Sequence, residues 1–413
     1  MQTVDVVLIG AGPAGAIASA ILKRRGWDVL VVEAQHFPRF VIGESLLTHC
    51  LDFVAEAGML EAVESAGFRV KNGAAFVRGN EYGEIGFGEQ FTQGRPSTFH
   101  VQREIFDKIL ADDAQRQGVP IQFGTRVIGF DDTGEFVKLR VQDASKIETE
   151  IRAKFVLDGS GFGRVLPRLL GLETASDFPA RAAVFTHVVD DKPQDAFDRN
   201  KIQVVVHPKN KDVWFWVIPF AGQRCSIGCV AAREFFADYP SEPIERLQQL
   251  VSEEPFMSRI FGNAIWDTPV RTLEGYAANV RTMTGPKFAL LGNAAEFLDP
   301  VFSSGVTIAM RSASMAAGVL DRQLRGEAVD WKQEFEQPLR KGVDVFRQYV
   351  TAWYDGRFQD IMFSKTHSAT VRAMISSVLA GYAWDETNPF VSEAARRLDV
   401  VAQLCRQQRP TTN

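Results

Sequence analysis

The chain has 413 residues, 46% hydrophobic and 23% charged, with a formal net charge of -5 and a pI near 5.8. These are the proportions of a globular protein able to bury a large core. The acidic balance argues against nucleic-acid binding, and no apolar stretch reaches the roughly 18 residues of a transmembrane helix. Of the four cysteines, Cys50, Cys225, Cys229 and Cys405, Cys225 and Cys229 are four apart, but no second His or Cys pair stands nearby at zinc spacing. No metal site is therefore expected, and free thiols in a reducing compartment are. The N-terminal apolar run is followed by its basic cluster instead of being preceded by it, the wrong order for a signal peptide. A cytoplasmic protein is expected.

In chain order, "VDVVLIG" reads as a buried strand, "PAGAIASAILKRRG" as a helix and "DVLVVE" as a second strand, a βαβ opening. Its turn carries Gly10-x-Gly12-x-x-Gly15, with Pro13 and Ala14 between the last two glycines. Gly10 suits the tight turn, Gly12 lets backbone approach a pyrophosphate, and Gly15 lets helix and strand pack closely. The helix N-terminus supplies free N–H donors. Glu33 ends the second strand, where an acid can bind ribose hydroxyls. The unit suits NAD or FAD. "IFDKILADDAQRQG" is an amphipathic helix closed by Gly118. "FVKLRV" and "IETEIRAKFVLDGSG" read as strands. From about residue 178 to 276 apolar and polar residues alternate, as in a mostly antiparallel sheet with inserted helices. Within it, Trp214, Trp216 and Ile218 fall on one face of a strand. Packing alone would explain such a wall. "FALLGNAAEFLDPVFSSGVTIAM" is a strand, a small-residue turn and a helix, able to place backbone donors against a second part of the same cofactor. The pattern from Val306 is helical almost to the end.

Several segments carry a family resemblance. The glycine fingerprint, "FHVQREIFDKIL" with Arg103 opening a helix, "KFVLDGSGFGR" with Asp158, and the segment near residue 290 together resemble the FAD-binding fold of aromatic hydroxylases. "FPRFVIGESLL", with Gly43, Glu44 and Ser45, resembles the segment beside the flavin in flavin-dependent halogenases. "VWFWVIP" is similar to their W-x-W-x-I-P pattern at Trp214, Trp216, Ile218 and Pro219, and "FLDPVFSSGV" to their D-P-x-x-S-x-G segment. The resemblance covers most of residues 1 to 320.

It implies a mixed α/β (α+β) fold. A Rossmann-like FAD-binding and substrate core spans 1–330, followed by a helical C-terminal region, 331–413. The FAD-binding parts are about 1–45, 100–175 and 277–330. The antiparallel substrate sheet takes about 46–99 and 176–276. Gly10, Gly12, Pro13, Ala14, Gly15, Glu33, Gly43, Glu44, Ser45, Arg103, Asp158, Asn293, Gly305 and Val306 would bind FAD.

The implied chemistry uses FADH2 from a separate reductase, O2, and chloride or bromide. Ser304 and Gly305 would present N–H groups to the halide. Hypohalous acid would travel through a tunnel to Lys71, which would activate it beside an electron-rich phenolic or pyrrolic ring, free or tethered to a carrier protein. A lysine suits that task because its pKa drops readily on burial. Phe68, Val70 and Phe76, its apolar neighbours in sequence, favour its partial burial. The tryptophan wall would keep the substrate ring from the oxidising centre, favouring halogenation over hydroxylation.

Four departures stand out. Phe302 occupies the place of a glutamate found in members acting on free tryptophan, which argues against that substrate. "GNA" at Gly292, Asn293 and Ala294 replaces the usual GDA. Val41 and Thr48-His49 also differ from the common pattern. Two other readings carry different expectations: a non-halogenating FAD oxidoreductase of the same fold, with no halogen in its product, and a flavin-binding protein without turnover.

Overall fold

The computed structural model describes residues 2–364 and 368–408. Most of the 331–413 region lies within them; 365–367 and 409–413 lie outside. The strand Gln2–Ile9 runs parallel to Val29–Val32 on one side and to Glu148–Asp158 on the other. The sheet extends outward to Ile121–Gln122 at one edge and to Phe288–Leu290 and Thr284–Gly285 at the other. All four residues of Val29–Val32 are buried, as expected of a strand covered on both faces.

The chain leaves the central strand toward one edge and later returns to the other. That reversal opens a crevice at the carboxyl ends of the strands, the usual ligand position in such sheets. There Ile9 stands opposite Asp158 in register. Two glycines make the close approach. Gly10 has φ +92°, and a Cβ on it would meet Gly159 O at 2.8 Å. A Cβ on Gly15, at the start of the helix Pro13–Arg24, would lie 1.8 Å from Gly10 O.

A second sheet has seven strands in the order Arg271–Glu274, Arg181–Val189, Arg224–Ala232, Trp214–Pro219, Lys201–Val206, Gly73–Arg78 and Glu81–Gly86. It is antiparallel except where Lys201–Val206 meets Gly73–Arg78. Period-2 alternation divides its central strand cleanly. Trp214, Trp216 and Ile218 join the main core, which includes the first sheet. Phe215 and Val217 face the other way, onto the helices Pro243–Glu253 and Pro255–Phe261.

The C-terminal helices, among them Gln337–Tyr354, Arg357–Met362, Ala369–Leu379 and Ala394–Gln407, share that main core through residues such as Phe346, Trp353, Phe358 and Leu398. No helix among the described residues is long and apolar enough to cross a membrane.

Candidate active site

A cavity of about 480 Å³ opens between the two sheets. Its lining includes Gly10, Gly12, Pro13, Ala14, Glu33, Gly43, Glu44, Ser45, Arg103, Asn293, Ser304, Gly305 and Val306 from the candidate cofactor residues, and Trp214, Trp216 and Ile218 from the wall. Gly15, Asp158, Pro219 and Lys71 lie off its surface. Gly15 is packed against Gly10. Asp158 is fully buried, and its carboxylate accepts from Ser160 N (2.9 Å) and Leu166 N (2.7 Å). It ties the turn after its strand and offers no oxygen to the cavity surface, unlike the direct cofactor contact expected from its motif.

The lining suits a dinucleotide with a polar ring system. Two helices begin at the cavity, Pro13–Arg24 and Ser304–Leu324, and neither N-cap residue supplies a side-chain acceptor. Their first N–H groups and the positive ends of their dipoles therefore remain for an anion. Glu33 accepts from Ala11 N (2.8 Å) and Gln35 N (2.9 Å), which holds its carboxylate at the strand end. Glu44, Ser45 and Asn293 line the cavity, and their Oε2, Oγ and Oδ1 atoms are buried without a protein partner. Buried polar atoms of this kind are normally satisfied, so a bound polar ligand is the natural complement. These residues fit FAD.

The Gly43–Ser45 segment is held from behind. Arg103 opens the helix Arg103–Arg116, and its Nη1 donates to Ile42 O (3.1 Å) and Gly43 O (3.3 Å). Asp107, one turn later, receives Arg103 Nε at 2.7 Å and Nη2 at 3.0 Å. Arg39 also reaches Asp107, at 3.1 Å. On the other side of the segment, His187 Nε2 lies 2.7 Å from Glu44 Oε1.

The next residue leads to Lys71. The main-chain carbonyl of Leu46 accepts from Lys71 Nζ at 2.8 Å. The lysine is 1% exposed, and burial lowers its pKa to about 7. Its strand, Arg69–Lys71, pairs with Thr98–His100, and Ser45 bridges to His100. The Phe87 ring lies 5.4 Å from Lys71 Nζ. Val70 is 44% exposed and faces outward, whereas Leu46, Phe87 and the paired strand come from segments distant in sequence. His100, whose two ring nitrogens lack partners, is held neutral by burial, with Lys71 and Arg69 adding to the effect.

Comparisons with known proteins bear on this geometry. Residues 3–335 match the family described as FAD binding domain. The chain is 30% identical over 342 residues to a 1H-pyrrole-2-carbonyl-[peptidyl-carrier protein] brominase of Pseudoalteromonas luteoviolacea, covering 81% of this chain and 80% of that one. The chain belongs to the flavin-dependent halogenases. It is also 32% identical over 332 residues to a tryptophan 2-halogenase of Chondromyces crocatus, covering 79% of this chain and 62% of that one. Among solved structures, a flavoprotein/dehydrogenase from Cytophaga hutchinsonii aligns at a TM-score of 0.95 with 42% identity, covering 98% of this chain and 99% of that one.

In this halogenase the departures from the family pattern have physical places. Phe302 is buried, with its ring against Phe358 at 5.0 Å and edge-on to Tyr349 and Trp353. Thr48 Oγ1 donates to Ala380 O (3.0 Å), and His49 stacks on Tyr382 (4.6 Å between centroids) with Nδ1 2.9 Å from Gly381 O. The flavin-side segment is thus tied to the C-terminal helices. Sequence reasoning missed Arg39, Asp107 and His187, and Phe185 and Tyr276, which also line the cavity. Only Asp107 left a local signal, its i,i+4 spacing from Arg103.

Arg103→Met is expected to weaken FAD binding about 10- to 100-fold. It frees two carbonyls of the segment and leaves buried Asp107 with Arg39 alone, a change that costs about 3–5 kcal/mol when a buried pair is broken. Flavin-fluorescence titration measures it; an unchanged Kd would show that the segment holds without the clamp.

Proposed function

We propose that this flavin-dependent halogenase acts on an electron-rich phenolic or pyrrolic ring, free or tethered to a carrier protein, with Lys71 as the activating residue. The observation that carries this reading is a fully buried amine, near neutral pKa, hung on the carbonyl next to a cavity-lining serine. Such an amine can donate a hydrogen bond or act as a nucleophile near pH 7. The overall reaction balances as FADH2 + O2 + halide + Ar–H + H+ giving FAD, two waters and Ar–halogen. The reduced cofactor, FADH2, would supply the two electrons that let O2 oxidise the halide.

The chain's own residues supply position and field. Gly10, Gly12, Pro13, Ala14 and the following helix N-terminus hold phosphate, with Gly15 giving the close packing behind them. Glu33 receives ribose hydroxyls. Gly43, Glu44, Ser45, Asn293 and Val306 surround the ring system; Arg103 holds the Gly43 end of that segment, and Asp158 fixes the turn after its own strand. Ser304 and Gly305 N–H groups hold chloride or bromide. Trp214, Trp216 and Ile218, with Pro219 ending their strand, separate the substrate ring from the oxidising centre.

The carbon-lined setting of Phe302 supports a ring that needs no carboxylate for activation. The carrier-bound pyrrole in the name of the Pseudoalteromonas relative supports the tethered form. A separate reductase delivering FADH2 and a cytoplasmic location complete the reading; the four free cysteines support the latter.

The test supplies FAD, a flavin reductase, NADH, bromide or chloride, and two substrate sets: free phenols and a carrier-loaded pyrrole-2-carbonyl group. Mass spectrometry should find halogenated product from at least one set. Oxidised substrate without halogen, in both sets and with both halides, would sink the proposal.

A further inference from the structure

Trp214 is part of a directed hydrogen-bond chain. Its indole Nε1–H donates to Tyr354 OH at 3.0 Å, and that hydroxyl donates to Asp299 Oδ2 at 2.8 Å. Asp299 Oδ1 accepts from Val301 N at 3.0 Å. The Arg181 guanidinium lies 3.5 Å over the Tyr354 ring and pins it from one side. Trp214 is 1% and Asp299 4% exposed, so water does not compete for these bonds.

The direction of the chain has a cause. A phenol has one hydrogen and can also accept. An ionised carboxylate can only accept, so it takes the Tyr354 hydrogen and leaves the hydroxyl lone pair for the indole. Once protonated, the carboxyl becomes a donor. It can then give its hydrogen to the hydroxyl, whose own hydrogen is released to turn against the indole N–H.

We infer that Asp299 and Tyr354 are positioning residues for Trp214, and that the ionised Asp299 carboxylate fixes the indole on the cavity wall. The groups facing this carboxylate are Tyr354 from the C-terminal helices and Arg181 and Tyr276 near the second sheet's edge. Burial raises the Asp299 pKa to about 6, which places the switch within reach of ordinary buffers. The consequence for catalysis rests on the reading of Trp214 as a wall. A wall held in one orientation keeps oxidising equivalents on the halide, and a loosened one releases them as hydrogen peroxide.

The experiment uses FAD-loaded protein labelled with 15N at the tryptophan indoles, seven in all, with Trp214→Phe identifying one signal. That signal should shift with pH, with a midpoint near 6, and should stop titrating in Asp299→Asn. Tyr354→Phe should move it to the position of an indole without a strong acceptor and also abolish the titration, so the test stands even if the aspartate variant folds poorly. In turnover, Tyr354→Phe should raise hydrogen peroxide per halogenated product about threefold or more, the scale of one lost hydrogen bond. An indole signal that is flat with pH, or unmoved by Tyr354→Phe, overturns the inference. If the signal behaves as described but Trp214→Phe leaves the peroxide ratio unchanged, the positioning stands and the wall reading falls.

Discussion

Lys71→Met should lower halogenated product by about 10³-fold, in the middle of the range for removing a positioned proton-transfer group. Methionine fills similar space and carries no amine. FAD affinity should stay within about twofold, because Lys71 lies off the cavity surface and Met leaves the Gly43–Ser45 segment in place. The same variant makes a stability prediction of definite sign. The unfolded lysine titrates at 10.5 and the folded one at about 7. Between those values the unfolded chain binds the extra proton, so wild-type stability rises with pH across that window, by about 1.4 kcal/mol per unit at most. Lys71→Met lacks that slope. It leaves Leu46 O unsatisfied, at about 1–3 kcal/mol, yet should gain on wild type as pH falls toward 7. Denaturant unfolding at several pH values, paired with product analysis, checks both. Parallel stability curves would mean that the amine is not held neutral by burial, and undiminished halogenation would remove Lys71 from the chemistry.

Gly15→Ala should abolish FAD retention, raising Kd by roughly 100-fold or more, and destabilise the fold by about 3 kcal/mol, the upper end for overpacking. The added methyl would meet the Gly10 carbonyl at 1.8 Å for its oxygen and 3.0 Å for its carbon. Both are main-chain atoms, with no flexible end to swing aside. The helix Pro13–Arg24 must then retreat from the strand before it, taking its free N–H groups from the phosphates. Flavin content of the purified variant and its thermal midpoint measure the effect. A variant that keeps its flavin would show that the crossing can open without harm.

Much of this site was legible in the chain because its signals are local. The glycine spacing, the acid at the end of the second strand and the period-2 tryptophans each encode a position within one or two elements, and the structure brings most of them to one cavity. Lys71 was singled out by family position, and the local reason for its burial is only partly right: Val70 faces outward. Its shielding comes from Leu46, Phe87 and the Thr98–His100 strand. Asp158 shows the converse. Its motif marks the turn beside the cofactor, but the carboxylate serves Ser160 and Leu166 N–H groups. Pairs such as Glu44 with His187, or Trp214 with Tyr354, join residues 143 and 140 positions apart. No periodicity encodes such a pairing, which exists only after the two sheets and the C-terminal helices have packed.

The stretch from Gly43 to His49 is a single covalent thread with four moorings: Arg103 at its start, His187 on Glu44, Lys71 at Leu46, and the Ala380–Gly381 carbonyls at its end. Chain geometry allows at most about 3.6 Å per residue, so the Leu46 carbonyl that holds the amine stays within one residue's reach of the cavity-lining Ser45. For protein engineering this divides the molecule into a gauge and its fittings. Exchanging the C-terminal helices to admit a new substrate should leave the site intact as long as two carbonyls are kept in place for Thr48 and His49 and Tyr354 is kept for Trp214. Inserting or deleting one residue between Gly43 and Leu46 should misalign floor and amine together, whatever substrate is offered.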